Sequence, residues 1–288
     1  MTLHQLPLAS KDKVIIVGAG IGGLASSVRL SHLGYQVSVF EKAKNAGGKL
    51  RTIMGSTGDI DVGPTVLTLL PIFKKLFKSV GEDIFEHIEL VRQKIIARHW
   101  WPDGTSLDLH DNFEASRDAI LSFSGSNSAH EFEKYFFDTK DLFSCFETPV
   151  MQNPKPSLLD MNRAVFSNPR ILTKIHPSRS LSSSLKLKFS DYRLQQLFAR
   201  YATYVGGSPL ESPALLSLIW QAEARGVWSI KGGMKKLSSV LEKLALDRGA
   251  SFTYDSEVKE FNTEGDRLVS ITDNLGNKHR ADKFIFNG

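Results

Sequence analysis

The chain has 288 residues and a formal net charge of +5, from 36 Lys and Arg against 31 Asp and Glu. Its composition, 41% hydrophobic and 23% charged, is that of a globular protein that can bury a core, and it excludes a disordered tail, a fibre and a polytopic membrane protein. A single cysteine, Cys145, excludes a disulfide framework and any cysteine-based zinc or iron–sulfur site. The charges are interspersed and nearly balanced, so we expect no nucleic acid as a partner.

The amino terminus carries no recognisable secretory signal, because its first twelve residues hold no apolar stretch long enough for one. The chain also lacks the run of about 20 apolar residues that crosses a bilayer. We therefore expect a cytoplasmic protein that is at most peripheral on the inner face of a membrane.

The first sixty residues predict a strand, a glycine-rich turn, a helix and a second strand, in that order. The strand KVIIV, 13–17, is a short β-branched run typical of a strand covered on both faces. It leads into the turn GAGIGG, 18–23, and then into apolar residues at helical spacing that end at Gly34. The second strand, QVSVF at 36–40, ends in Glu41.

This turn has the form that binds the diphosphate of a dinucleotide. Gly18 permits the tight turn, Gly20 lets a pyrophosphate approach the backbone, and Gly23 lets the helix pack closely on the strand. The free N–H groups and the positive dipole end of the helix favour phosphate. A carboxylate at Glu41 accepts hydrogen bonds from the adenosine ribose. The alternative, a tight turn in an unrelated α/β protein, is disfavoured because all these features occur in register. The glycines do not distinguish NAD from FAD.

Two segments that follow resemble a known superfamily. GGKLRT at 47–52 and DIDVGPT at 59–65 are similar to segments of the flavin-dependent amine oxidase and carotenoid desaturase superfamily. The resemblance implies FAD as the cofactor. Its cofactor-binding residues are then Gly18, Ala19, Gly20, Gly22, Gly23, Glu41, Lys42, Gly47, Gly48, Arg51, Pro64, Thr65 and Val258.

The resemblance also orders these residues along the cofactor. It places 47–48 and Arg51 along the phosphates and the ribityl chain, and 64–65 near the isoalloxazine. It also implies that the backbone of Val258 contacts the adenine. Glycines permit the close approach, and a guanidinium adds a fixed positive charge opposite phosphate. The alternative for the second glycine pair is a surface loop with incidental basic residues.

Apolar periodicity predicts the elements of the middle and the end of the chain. The turn Pro102-Asp103-Gly104 predicts a β-hairpin between 95 and 109. The predicted helices are 68–77, 129–146, 191–204, 213–224 and 234–248, and the predicted strands are 227–230, 251–254, 257–261, 267–272 and 283–286.

Three segments in the middle of the chain resemble one branch of this superfamily more than the others. RHWWPDGT at 98–105, ARYATYVGG at 199–207 and IWQAE at 219–223 look like the bacterial carotenoid desaturases. The most similar branch is that of the hydroxyneurosporene (methoxyneurosporene) dehydrogenases, the 1-hydroxycarotenoid 3,4-desaturases. The resemblance implies removal of two hydrogens from an acyclic carotenoid substrate, with FAD as the hydride acceptor. The alternatives are a phytoene desaturase, a flavin amine oxidase of the same superfamily, or an inactive or split fragment that needs a partner.

No catalytic residue and no metal site is predicted. His99 and His110 are proton-acceptor candidates only in the loosest sense, since ordinary hairpin histidines explain them better. Four aromatic residues either line a polyene tunnel or belong to the core, and aromatic residues at such spacing are more often core. They are Trp100, Trp101, Trp220 and Trp228.

The segment 161–190 holds six Lys or Arg and no acidic residue, interleaved with apolar residues such as Phe166, Ile171 and Leu172. Such a run is either the solvated face of a helical subdomain or a surface that rests on an anionic membrane. A substrate dissolved in the bilayer makes the second interpretation reasonable.

These observations predict an α/β fold. An FAD-binding Rossmann-like domain of the glutathione-reductase type comprises 1–66 and 230–288, and a mixed α+β substrate or membrane-facing domain, 67–229, is inserted between them. Family members continue with another glycine-rich segment that returns to the flavin. We therefore expect an amino-terminal portion whose redox site is incomplete, and a partner chain is one source of the missing half.

Overall fold

The computed structural model describes residues 12–153 and 155–288. The chain forms two compact units, one of residues up to Val91 together with Trp228–Gly288, the other of Arg92–Val227. The domain limits 1–66, 67–229 and 230–288 stay a prediction. The boundaries between the two compact units fall at 91/92 and 227/228. The expected lack of a secretory signal rests on the first twelve residues, and eleven of these lie outside the described residues.

The regular elements are numbered in chain order. The strands are β1 Lys13–Val17, β2 Gln36–Phe40, β3 Thr52–Met54, β4 Asp59–Asp61, β5 Leu90–Arg92, β6 Ile95–Trp100, β7 Ser106–His110, β8 Trp228–Ile230, β9 Ser251–Thr253, β10 Val258–Glu264, β11 Arg267–Asp273, β12 Lys278–Arg280 and β13 Lys283–Phe286. The α-helices are α1 Ile21–His32, α2 Leu70–Lys78, α3 Ile84–His87, α4 Phe113–Phe146, α5 Leu158–Ser167, α6 Leu172–Ile175, α7 Leu181–Lys188, α8 Tyr192–Ala199, α9 Trp220–Ala224 and α10 Lys235–Leu246.

The first unit is built on a parallel sheet with the strand order β13-β1-β2-β9. The connection from β1 to β2 is α1, as a parallel pair requires a crossover, and α1 contacts α10. Ile16 on β1 and Val39 on β2 are fully buried, as are Leu24 and Val28 on α1. Each such side chain contributes about 1.5–3 kcal/mol of hydrophobic free energy. The predicted strand–turn–helix–strand unit is confirmed.

The remaining carboxyl-terminal strands follow a different arrangement. β10, β11 and β12 form a separate antiparallel sheet, whereas β9 and β13 join the parallel one. All four predicted strands of this stretch exist, but β12 and the short antiparallel pair of β3 and β4 are absent from the prediction. These missing strands have only three residues each, too short to show a periodic pattern.

The second unit joins the hairpin of β6 and β7 to a helical layer. The predicted hairpin is confirmed, and Gly104 in its turn has a positive φ of 81°. The predicted helix 129–146 is the second part of the longer α4, which is interrupted at Gly125 (φ 85°). Its core is aromatic, with Phe132 and Tyr135 of α4 packed around Trp220.

Two predicted α-helices of this unit are partly wrong. The helix expected over 191–204 is α8 followed by a 3₁₀ helix at Arg200–Val205, and the one expected over 213–224 begins with a 3₁₀ helix at Ala214–Ile219 before α9. Apolar residues three positions apart suit both helix types, so periodicity alone did not separate them. Among the described residues no helix combines the length and the apolarity needed to cross a membrane.

Candidate functional site

The glycine turn between β1 and α1 depends on the absence of side chains. Gly18 has a φ of +98° and donates its N–H to the Phe40 carbonyl at 2.8 Å. A Cβ on Gly18 would lie 2.4 Å from the Asn287 carbonyl oxygen, and a Cβ on Gly23 would lie 2.0 Å from the Gly18 carbonyl oxygen. Neither contact can be accommodated, so Gly23 is required for the close packing of helix on strand.

Gly20 differs from its neighbours because the space beside it is open. A Cβ there would meet no atom nearer than the Asn287 Nδ2, at 3.5 Å. Gly20 is also the residue that precedes α1, and no side chain caps that helix. The first N–H groups of a helix have no partner within it. This turn therefore offers unpaired donors, a positive dipole end and room for an anion.

Asn287 is a residue of this site that the predicted set lacks. It directly follows β13, the parallel neighbour of β1, and its N–H donates to the Val17 carbonyl at 2.8 Å. Its side chain lies against the turn, where a Cβ on Gly22 would be 2.5 Å from the Asn287 Oδ1. Carboxyl ends of adjacent parallel strands meet at one edge of a sheet, and this rule could have located Asn287.

Glu41 ties the glycine turn to the loop after β2. Its Oε2 accepts from the Ala19 N–H at 2.7 Å, its Oε1 accepts from the Ala43 N–H at 2.8 Å, and the residue is 8% exposed. A carboxylate offers about four lone-pair sites, so each oxygen can accept one more hydrogen bond. The adjacent Lys42 is exposed.

The second glycine pair contacts the first glycine turn. Gly47 donates its N–H to the Ala19 carbonyl at 2.9 Å, and a Cβ on Gly48 would lie 3.0 Å from the Gly20 Cα. Both have positive φ, 129° at Gly47 and 58° at Gly48. The structure thus brings 47–48 to the same edge of the sheet as the turn at 18–23.

The other predicted residues lie further along the same unit. The Arg51 carbonyl accepts from the Val62 N–H at 3.0 Å, so the two motif segments run side by side. The residues Arg51, Pro64 and Thr65 are exposed. Val258, at the start of β10, packs partly buried against the apolar cluster that includes Phe40. The role of these four residues at the cofactor stays a prediction.

Asp61 is a second residue absent from the predicted set. Its Oδ2 accepts from the Met234 N–H at 2.9 Å, at the start of α10, and its Oδ1 is buried without a hydrogen-bond partner. Gly233 has a φ of +85°, and a Cβ there would lie 3.2 Å from the Asp61 Oδ2. The motif DIDVGPT contains Asp61, but only the tertiary contact with α10 shows what this carboxylate does.

A group of metal-type ligands occurs elsewhere in the first unit. Glu82, Glu86 and His87 bring one ligand atom each within 4.8 Å of one another. Both Glu82 oxygens are already bonded, Oε1 to Arg248 Nη2 at 2.6 Å and Oε2 to His87 Nε2 at 2.8 Å. The Arg248 hydrogen bond, followed by that of His87, lowers the pKa of Glu82. The guanidinium of Arg248 already supplies the positive charge that a metal ion would bring, which favours a structural ion pair over a metal site.

The second unit contains a polar cluster around Glu223. The Glu223 Oε2 accepts from Arg200 Nη2 at 2.5 Å and from the Tyr201 hydroxyl at 2.8 Å, and its Oε1 accepts from the Tyr204 hydroxyl at 2.5 Å. Burial, and then the Glu223 charge, raises the pKa of Tyr201 well above its ordinary value. Burial, and then the Arg200 charge, lowers the pKa of His99.

The remaining aromatic and histidine candidates are mostly structural. Trp101 and Trp220 are buried and donate their indole N–H to Gln196 and Thr139, at 3.0 and 2.9 Å. The other two tryptophans differ, since Trp228 packs partly buried on the core of the first unit and Trp100 is 69% exposed. The backbone of His110 exchanges hydrogen bonds with the Ser116 hydroxyl.

Comparison with known proteins identifies the family of this chain. The profile of the family described as flavin-containing amine oxidoreductase matches residues 21–286. The chain belongs to that family. The predicted superfamily is confirmed, and FAD is the cofactor that this membership supports. Which residues hold the cofactor is a separate matter that the match does not test.

Several curated relatives match almost the whole chain. It is 41% identical over 276 residues to a protein named hydroxyneurosporene desaturase from Cereibacter sphaeroides, covering 96% of this chain and 56% of that protein. It is 32% identical over 284 residues to 1-hydroxycarotenoid 3,4-desaturase from a Flavobacterium species, covering 96% and 56%. The chain therefore spans about half the length of these relatives.

Solved structures agree on the fold. An oxidoreductase from Methanosarcina mazei matches with a TM-score of 0.65 at 19% identity, covering 96% of this chain and 58% of that one. Putrescine oxidase bound to putrescine matches with a TM-score of 0.65 at 15% identity, covering 96% and 57%. At such identities the likeness shows the fold alone, and the predicted fold class is confirmed.

Proposed function

We propose that this chain is the FAD-binding portion of a carotenoid desaturase that acts on an acyclic, 1-hydroxylated carotenoid at its C3–C4 bond. The observation that carries the proposal is the identity of 36–41%, over at least 96% of the chain, to three proteins named hydroxyneurosporene desaturase. A fourth relative, named for 3,4-desaturation, agrees with the bond. The reaction extends the conjugation of the polyene by removing two hydrogens.

The glycine-rich site fits the adenosine diphosphate half of FAD. The open space at Gly20 and the uncapped start of α1 suit the diphosphate. Glu41 has acceptor capacity left for the ribose hydroxyls after bonding two backbone N–H groups. The pair Gly47 and Gly48 leaves the backbone bare beside Gly20, and Arg51 is exposed on the same unit. When bound, FAD supplies the acceptor for the hydride.

In this proposal, residues of this chain hold in position the backbone groups that bind FAD. Glu41 holds the turn at Ala19 and the loop at Ala43 in one position, so the phosphate-binding N–H groups are arranged before the cofactor arrives. Asp61 fixes the start of α10 against the second motif segment. The face of the flavin and the substrate pocket are completed by the part that the relatives have beyond the match, on this chain or on a partner chain.

We also propose that α5 and α6 rest on an anionic membrane surface, which would make the protein peripheral on the cytoplasmic face. Phe166 is 80% exposed and Leu172 is 55% exposed, with Arg163 and Arg170 exposed near them. The charge of the segment is smaller than the sequence suggests, because Lys174 pairs with acidic residues of α4. Aromatic and basic residues together favour an interfacial position.

Expression of the complete protein in cells that accumulate hydroxylated acyclic carotenoids tests the main proposal. A pigment two mass units lighter, with a red-shifted absorption spectrum, is expected. Amine oxidation, which would release hydrogen peroxide from polyamines, is the rival within the family. Unchanged pigment together with peroxide formation would replace the proposal by that rival, and unchanged pigment without peroxide would leave a binding or inactive protein.

A further inference from the structure

The side-chain amide of Asn287 lies over the glycine turn at the start of α1. Its Nδ2 is 3.5 Å from the position of a Cβ on Gly20, 3.4 Å from that on Gly22 and 3.3 Å from that on Gly23. The backbone of Asn287 is held there, because β13 pairs with β1 and the Asn287 N–H donates to the Val17 carbonyl. The fold therefore presents this amide where the free N–H groups of α1 begin.

Gly22 is the glycine of this turn that the dinucleotide motif does not require. The three motif positions are filled by Gly18, Gly20 and Gly23. Gly22 lies within α1 and has no positive φ, so its own backbone could carry a side chain without strain. A Cβ there would nevertheless lie 2.5 Å from the Asn287 Oδ1. The space that the Asn287 amide occupies therefore explains why residue 22 has no side chain.

The amide of Asn287 keeps its full hydrogen-bonding capacity. An asparagine side chain offers two N–H donors and a carbonyl acceptor. Within the part of the chain that the structure describes, neither the NH₂ group nor the oxygen has a hydrogen-bond partner, and no side chain caps α1. The amide thus contributes no hydrogen bond to the fold, although the fold holds it in contact with the turn. It is available to a ligand that binds there.

We propose that Asn287 binds the diphosphate of FAD, with its Nδ2–H donating to a phosphate oxygen. This assignment rests on the proposed function and adds a residue from the other end of the described chain to the site that takes the cofactor. The N–H groups at the start of α1 and the Asn287 amide then donate to the same anion. Gly22 leaves the amide free to take this position.

Binding of FAD and of ADP to the complete protein, freed of its cofactor, tests this assignment. Asn287→Ala removes the donor, and the Kd for FAD is expected to rise about tenfold or more, the effect of one lost hydrogen bond to a charged group. The Kd for ADP is expected to rise by the same factor, because both ligands carry the diphosphate. The unfolding midpoint without ligand is expected to stay unchanged, since the amide has no partner in the fold.

Two further variants separate this role from a structural one. Asn287→Asp keeps the size of the side chain but replaces the donor by a negative charge, so its loss of affinity should exceed that of Asn287→Ala and shrink as the salt concentration rises.

Gly22→Ala suits a helix, but its methyl group displaces the Asn287 amide and should weaken FAD binding as Asn287→Ala does. The double variant Gly22→Ala, Asn287→Ala is expected to bind no more weakly than either single variant, because both changes remove the same hydrogen bond. Additive losses would mean that the methyl group obstructs the diphosphate by itself, and would overturn the link between the two residues.

Asn262→Ala is the matched control, because Asn262 is a partly buried asparagine of the same unit whose Nδ2 donates to the Thr272 Oγ1 at 3.0 Å. Its Kd for FAD is expected to match that of the unmodified protein. An unchanged Kd for FAD in Asn287→Ala, or a rise for FAD without one for ADP, would overturn the assignment and leave the FAD site standing. If the unmodified protein bound neither FAD nor ADP, the proposed function itself would fail.

Discussion

Substitution of Glu41 separates the structural role of this carboxylate from its role in binding FAD. In Glu41→Gln one side-chain oxygen remains, so only one of the N–H groups of Ala19 and Ala43 keeps its acceptor. The amide NH₂ then faces the other N–H group. An unsatisfied buried donor costs about 1–3 kcal/mol, and Glu41 is 8% exposed. We expect the free energy of unfolding to fall by about 1–3 kcal/mol for Gln and by more for Ala, which leaves both N–H groups unpaired.

The assay is urea unfolding of the complete protein, with and without added FAD. The loss measured without FAD reports the two backbone contacts. Any further loss with FAD reports weaker FAD binding, either at the ribose or at the phosphate-binding turn that Glu41 holds, because a ligand stabilises the native state according to its affinity. Glu257→Gln is the control, since Glu257 is an exposed residue of the same unit that pairs with Lys259. Exposed substitutions change stability within about ±0.5 kcal/mol.

Equal unfolding midpoints for Glu41→Gln and Glu257→Gln without FAD would refute the structural part of this reasoning. Unchanged FAD affinity in Glu41→Ala would refute the assignment of Glu41 to the ribose.

Three further predictions follow from the described contacts. Gly23→Ala should destabilise the fold, because its Cβ would lie 2.0 Å from a backbone oxygen. Gly20→Ala should leave the unfolding midpoint nearly unchanged and should lower FAD retention. Equal unfolding midpoints for the two variants would contradict this prediction. Hydrogen bonds from a neighbouring guanidinium lower the pKa of Asp191 from 3.8 to about 2, so its stabilisation is present above pH 3.8 and lost as pH falls toward 2. Unfolding measured across that range should be less pH-dependent in Asp191→Asn, and an identical slope would argue against the assignment. Phe166→Ser should weaken co-sedimentation of the protein with anionic vesicles. Leu275→Ser, which changes an equally exposed apolar residue of the first unit, should not weaken it. Equal sedimentation of both variants would rule out the proposed membrane surface.

The opening of the chain is predictable because its pattern is local. β1, the glycine turn, α1 and β2 lie within 13–40 and follow from β-branched runs and glycine positions read directly from the sequence. The reason for Gly23 is also local, since its Cβ would strike the Gly18 carbonyl only five residues away. Such features need no knowledge of distant parts of the chain.

The tertiary structure alone determined which distant residues complete each site. Asn287 reaches the turn because β13 pairs with β1, and Asp61 meets α10 across more than 170 positions of sequence. Arg200 and Glu223 lie within resembling segments, but the hydrogen bond between them forms only because the fold brings the 3₁₀ helix at 200–205 to α9. Hydrophobic periodicity reports which face of an element is buried and not which element covers it. Buried polar partners that are far apart in sequence therefore become visible only in the folded chain.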